Sequence, residues 1–108
     1  MLVNLTPHTI NVERNGEIIA IPPSGQVARV VREESISSPV MGFSVAKATL
    51  KEVAGLPQPQ EGHWFVVSAM VAQATDRADL ICPDTGPGAI RDEKGHIVAV
   101  RGFVTYQG

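Results

Sequence analysis

The stretch Ile10-Asn11-Val12-Glu13-Arg14-Asn15-Gly16-Glu17-Ile18-Ile19-Ala20-Ile21 reads as a β-hairpin. Asn15-Gly16 is the preferred pair for a two-residue type I′ turn, because both central positions need a positive φ. Folding the chain about that pair sets Arg14 opposite Glu17, Val12 opposite Ile19 and Ile10 opposite Ile21. These partners share one face: two apolar pairs, then an ion pair at the exposed end. Thr9, Asn11 and Glu13 fall on the other, largely polar face. Turn chemistry and apolar pattern agree on one register, and a one-residue slip would turn the apolar set outward.

Outward from this hairpin the chain continues to read as β structure. Pro22-Pro23-Ser24-Gly25 ends the second strand with a turn. Gln26 to Glu34 is β-rich, and the adjacent Val30-Val31 breaks strict alternation, as a bulge or a doubly buried segment would. Ser35 to Gly42 reads as a loop. Phe43 to Val53 fits a strand or a helix; a strand is favoured, since a lone ten-residue helix carrying Val45 and Thr49 has modest propensity. Gly55 to Gly62, with Pro57 and Pro59, is a stiff loop too short to divide domains. Trp64 to Val67 is a buried strand, Ser68 caps a short helix over Ala69 to Ala74, and Asp79 to Cys82 is a strand stopped by Pro83.

A second hairpin turns at Asp92-Glu93-Lys94-Gly95, with Asp92 facing His96 and Ile90 facing Val98. Val98, Val100, Val104 and Tyr106 then share one face of a last strand, and Ile97, Ala99, Arg101 and Phe103 the other. Two partly apolar faces suit a central strand or a subunit interface. The expectation is a single domain over 1–108, mainly β (β-rich α+β). It would be a small barrel or sandwich of six to eight short strands with one short helix.

Composition narrows the function. The chain has 108 residues, 44% hydrophobic and 19% charged, with net charge −2. That balance argues against a duplex nucleic-acid coat or a membrane-surface binder, both of which rely on excess Lys and Arg. The one cysteine, Cys82, excludes an intrachain disulfide framework and a multi-cysteine zinc site. His8, His63 and His96 have no metal-ligand spacing, so no metal is expected. No apolar run approaches a membrane span, and MLVNLTPHTINV lacks the pattern of a secretory leader, so the cytoplasm is the expected location. So small a domain with so few aromatics buries little surface alone, which points to a homo-oligomer.

Three clusters carry candidate chemistry. Asp84-Thr85-Gly86 looks like the D-T-G of retroviral-type aspartic proteases, in which two such loops share a proton, and a homodimer would supply two. Only 22 residues follow Gly86, however, and Pro83 stands where an apolar strand residue belongs; a turn satisfied by Asp or Thr side chains is the competing reading. Gly86-Pro87-Gly88 offers backbone N–H groups after a strand, with Arg77 and Asp79 before it and Arg91 and Asp92 after it. Arg77 and Arg91 suit phosphate, Thr85, Gly86 and Gly88 suit loop contacts, and Asp79, Asp92 and His8 suit sugar or base. The competing reading is that Arg77–Asp79 and Arg91–Asp92 are ion pairs at strand ends. His8 in Asn4-Leu5-Thr6-Pro7-His8 is equally a histidine held by a backbone carbonyl, anchoring the terminus. Cys82, in an apolar strand, reads as a core residue, and Trp64 as core or interface.

The order of several motifs resembles small bacteriophage and mobile-element proteins. It runs through Asn4-Leu5-Thr6-Pro7-His8, Ile21-Pro22-Pro23-Ser24-Gly25, Gly55-Leu56-Pro57, Val67 to Ala72, Arg77 to Leu80, Pro83-Asp84-Thr85-Gly86 and Arg91-Asp92 with Gly95. The resemblance covers nearly the whole chain, attaches no named activity and transfers no catalytic residue. It implies a phage-related accessory protein. By analogy with anti-defence sponges, the first expectation is a non-enzymatic protein, without cofactor, that sequesters a small phosphorylated nucleotide signal. The second is a virion accessory or protein–protein interaction module, motivated by the two-faced last strand. An aspartic protease-like dimer through Asp84 is the third.

Overall fold

The computed structural model describes residues 1–106. Among them are ten short strands and one helix, so the chain is mainly β. In chain order they are β1 (Leu2–Asn4), β2 (Ile10–Arg14), β3 (Glu17–Ile21), β4 (Arg29–Ile36), β5 (Ala46–Ala54), β6 (Trp64–Val66), α1 (Ala69–Gln73), β7 (Leu80–Pro83), β8 (Ile90–Arg91), β9 (Ile97–Ala99) and β10 (Phe103–Val104). The strands form one four-stranded sheet, β1-β6-β7-β10, and three two-stranded ribbons, β2–β3, β4–β5 and β8–β9. These small sheets do not close into a barrel.

The central sheet explains why Phe65, Val66 and Val67 are apolar without alternation. β6 lies parallel to both β1 and β7 and is covered on both faces, the situation in which strands lose their polar side. Phe65, Val67, Leu80 and Cys82 face a cluster with Leu5, Ala28, Val71 and Ala72 from α1 and the adjoining loops. Val66 faces the opposite way, against Ile10, Val12 and Val100. The sheet is thus sandwiched between α1 on one side and the β2–β3 hairpin on the other. Trp64, read as core or interface, is half-exposed at the strand entrance and so is not a core residue. The β6–α1–β7 crossover is short, and Ser68 caps α1 as expected, its Oγ accepting from the Val71 N–H at 3.3 Å.

The first hairpin has the register read from its sequence, with Arg14 opposite Glu17, Val12 opposite Ile19 and Ile10 opposite Ile21. Asn15 and Gly16 both carry positive φ, at 53° and 82°. The C-terminal hairpin needs correction. Ile90 pairs with Ala99 and not Val98, because the ladder slips between Ile90 and Arg91. The expected single last strand is also broken into β9 and β10. Val100 exchanges backbone bonds with the first hairpin, donating to Asn11 O and accepting from Glu13 N, both at 2.8 Å. The chain then bends at Arg101-Gly102 to pair Phe103 with Pro83 and Val104 with Cys82 in the central sheet. One straight strand cannot serve two layers.

Residues 29–54 form a long arm. Phe43 to Val53 is strand from Ala46 onward, as favoured, and the irregularity at Val30-Val31 is present: Lys51 and Glu52 together oppose Val31. The loop expected over Ser35 to Gly42 is shorter and more ordered. β4 runs to Ile36, and Val40 and Phe43 exchange N–H···O bonds of 3.0 and 2.8 Å around Met41-Gly42. Both turn residues have positive φ, 49° and 81°, the geometry of a type I′ turn.

Candidate functional site

Two places compete as the working surface: the loops at the two ends of β7, and the β4–β5 arm. The loops hold Arg77, Asp79, Thr85, Gly86 and Gly88, whereas Arg91 lies on β8, Asp92 in the β8–β9 turn and His8 between β1 and β2. Four residues of β7 separate Arg77-Asp79 at its start from Asp84–Gly88 at its end, roughly 13 Å of extended chain. Arg77 grips Asp79 in a two-pronged pair, Nε to Oδ1 at 3.0 Å and Nη2 to Oδ2 at 2.6 Å. Its third prong reaches the Pro57 carbonyl at 2.5 Å, and the guanidinium lies 5.6 Å over the Phe65 ring. Both side chains are largely buried. Arg77 therefore ties the Gly55–Gly62 loop to the start of β7, and a phosphate would have to displace Asp79 to use it.

The glycine loop is a pair of nested turns. The Asp84 carboxylate accepts from the Gly86 N–H at 3.1 Å, and the Gly86 carbonyl accepts from the Ala89 N–H at 3.0 Å. Pro87 thus sits at the first central position of a β-turn, which accounts for Gly86-Pro87-Gly88. Neither Gly86 nor Gly88 has a positive φ, so the alternating left-handed geometry of an anion nest is not formed. Thr85 is exposed beside them. The same Asp84 contact is the turn reading of D-T-G.

Asp92 is likewise a turn residue. Its Oδ1 accepts from Lys94 N and His96 N, each at 2.9 Å. Arg91 donates to the Gly95 carbonyl at 2.7 Å, across the same hairpin, and not to Asp92. His8 is exposed, and it is its backbone carbonyl that is used, accepting from Asn4 Nδ2 at 2.8 Å and Thr6 Oγ1 at 3.1 Å. The residue that anchors the terminus is Asn4, 2% exposed. Its amide also donates to Ile21 O, and its oxygen accepts from both N–H and Oγ1 of Thr6. Burial pushes the Cys82 thiol above its ordinary range, and the Asp84 carboxylate adds to the shift. No group of three or more metal-ligating side chains occurs among the described residues.

One cation near the glycine loop escaped the sequence reading. Arg101 donates through Nε to the Gly88 carbonyl at 2.9 Å and through Nη1 to Glu13 Oε2 at 3.1 Å. With Arg14 it edges a groove of about 320 Å³ floored by Val12, Ile19, Ile21 and Phe103. Its register position between Val100 and Gly102 offered the only sequence signal.

The arm is the larger feature. Of its seventeen strand residues only Val30 and Val53, at the base, are more than superficially covered. Toward the tip Ile36 is 98% exposed, Met41 91% and Phe43 72%, with Val40 and Leu50 also exposed. A two-stranded ribbon is marginal in water by itself, and single exposed apolar residues are ordinary where several gathered on one element are not. Met41 sharpens the point, because a long side chain in the left-handed region is strained where Asn or Gly would serve. The sequence signal was Val40 and Met41 inside a supposed loop, where polar residues are the rule, with Phe43 directly after it.

Comparison with protein-family models, with curated proteins and with solved structures finds no match for this chain.

Proposed function

We propose that this protein is a non-enzymatic interaction module whose β4–β5 arm is the surface that engages a protein partner. The observation that carries this is the exposed apolar tip, Ile36, Val40, Met41 and Phe43, held out at the end of paired strands and closed by a strained turn at Met41. The sequence resemblance to small bacteriophage and mobile-element proteins supports an accessory role of this kind. The test is affinity capture from the cells that express the protein, with the native chain and with Phe43→Asp. Phe43 is exposed, so the substitution leaves the core intact. At least one protein, another copy of this chain or a different one, is expected to be lost with Phe43→Asp. An identical captured set from both chains would overturn the proposal.

A second reading, sequestration of a small phosphorylated nucleotide, is favoured by the groove beside Arg101. An apolar floor with Arg14 and Arg101 at its edge suits a flat base and a phosphate, and about 320 Å³ is at the small end of ligand sites. Arg77 is largely buried in its pair with Asp79, whereas Arg101 is mostly exposed, so this ligand would rest on Arg101 and would compete with Glu13 and the Gly88 carbonyl for its guanidinium. Calorimetry against cyclic dinucleotides and cyclic ADP-ribose isomers tests it. Heat that disappears in Arg101→Ala supports the ligand; no heat from any of them removes it.

A further inference from the structure

We infer that the occupant of the arm is a second copy of this chain, packed arm on arm about a two-fold axis through one defined face of β4–β5. This rests on the reading of the arm as an interaction surface, and adds both the partner and the face.

Pairing register assigns the faces. Val30, Arg32, Glu34 and Ile36 of β4 stand opposite Val53, Leu50, Ala48 and Ala46 of β5. The bulge at Lys51-Glu52 keeps Val53 and Leu50 on this same side. The reverse face carries Arg29, Val31, Glu33, Ser35, Lys47, Thr49 and Lys51, with Lys51 paired to Glu33. One side of the arm is therefore mainly apolar and the other polar. Val30 and Val53 pack against the main core, so the apolar face is an outward continuation of the surface the domain already buries. Beyond them that surface runs on uncovered through Leu50, Ala48, Ala46 and Ile36.

The chain as a whole is more extended, and exposes more surface, than a compact monomer of its mass. The chain exposes 7524 Å². Monomers of this mass expose about 5,800 Å² by the usual scaling of surface with size, leaving an excess of about 1,700 Å². A standard interface covers about 800 Å² on each partner, and obligate homodimers cover more. The radius of gyration, 16.6 Å, likewise exceeds the roughly 13 Å of a chain of this length folded alone.

Charge and shape favour a second copy. The only charges on the apolar face, Arg32 and Glu34, neutralise one another in a direct ion pair. A symmetry-related copy brings the same pair, so either charge finds its opposite within two residues and no net repulsion arises. Ala46 and Ala48 are small enough for the two ribbons to approach as stacked sheets do, with Leu50 and Ile36 filling the remaining space.

The experiment uses the purified full chain and a short bis-maleimide cross-linker. Cys82 is buried, so the native chain supplies a low background. Ala48→Cys, on the apolar face, is expected to cross-link two copies efficiently; Thr49→Cys, on the polar face, is expected to cross-link several-fold less. Sedimentation should give a dimer for the native chain and a monomer for Leu50→Asp. Circular dichroism of Leu50→Asp checks that the sheet is retained, and Ile36→Asp provides a second monomeric variant should Leu50→Asp fail to fold. A native chain that stays monomeric at all concentrations, or equal cross-linking from both cysteines, overturns the inference. Arm-dependent capture of a different protein would in that case leave the interaction reading standing.

Discussion

Gly55 lies so close to the Val27 carbonyl that a Cβ on it would sit 2.3 Å from that oxygen. Gly55 also holds φ at +80°, and it follows directly on the last residue of β5. The base of the arm is therefore fixed by a contact that only glycine permits. Gly55→Ala is expected to destabilise the protein by about 2–4 kcal/mol, combining left-handed strain with a backbone clash. Gly62→Ala, with similar φ but open space around it, should cost only about 1–2 kcal/mol. Denaturant unfolding of the two variants compares them.

Arg77 and Asp79 make a separate test of structure against binding. Removing the guanidinium with Arg77→Met leaves a largely buried carboxylate and the Pro57 carbonyl without their donors. A loss of about 1–3 kcal/mol is expected in thermal unfolding. Adding Asp79→Asn should restore part of that loss, because the stranded charge goes with it. A ligand-binding role alone would leave stability unchanged in both variants.

Asn4 satisfies four groups from one buried amide. Asn4→Ala leaves the Ile21 and His8 carbonyls and the Thr6 N–H short of partners where water has little access. Destabilisation of about 2–4 kcal/mol is expected, larger than for His8→Ala, whose side chain is exposed. Chemical denaturation of both variants gives the comparison.

Cys82 sets an alkaline limit. Its thiol is raised above the ordinary value of 9.0, so the folded chain holds this proton more tightly than the unfolded chain does. The sign follows from proton linkage. Stability from the neutral thiol is complete below pH 9.0, declines once the unfolded chain ionises, and is lost as pH rises through the higher folded value. Unfolding measured from pH 7 upward should show this decline in the native chain. Cys82→Ala should be less stable at neutral pH and should lack this thiol's part of the decline.

Much of the fold was legible because local chemistry decided it. Asn15-Gly16 with matched partners admits one hairpin register, and Ser68 before an alanine-rich segment admits one helix start. The C-terminal break was not legible, since the reason for it is Asn11 and Glu13, distant in sequence, which hold Val100 in another layer. The candidate loops showed the right residue types but not their occupancy. Arg77 beside Asp79 reads the same whether the pair is free for a ligand or closed on itself. The bond to Pro57 that settles its geometry spans twenty residues. The arm was the reverse case: Val40, Met41 and Phe43 were visible, yet only paired strands carrying them into solvent reveal that they stay exposed among the described residues.

The arm as a covered surface is tested most directly by amide hydrogen exchange across residues 29–54 of the purified protein at high and low concentration. Protection in β4 and β5 close to that of β6 and β7, falling as the protein is diluted, is the result expected of arms packed together in solution. Arm amides that exchange at the same fast rate at every concentration, beside a protected central sheet, would contradict it.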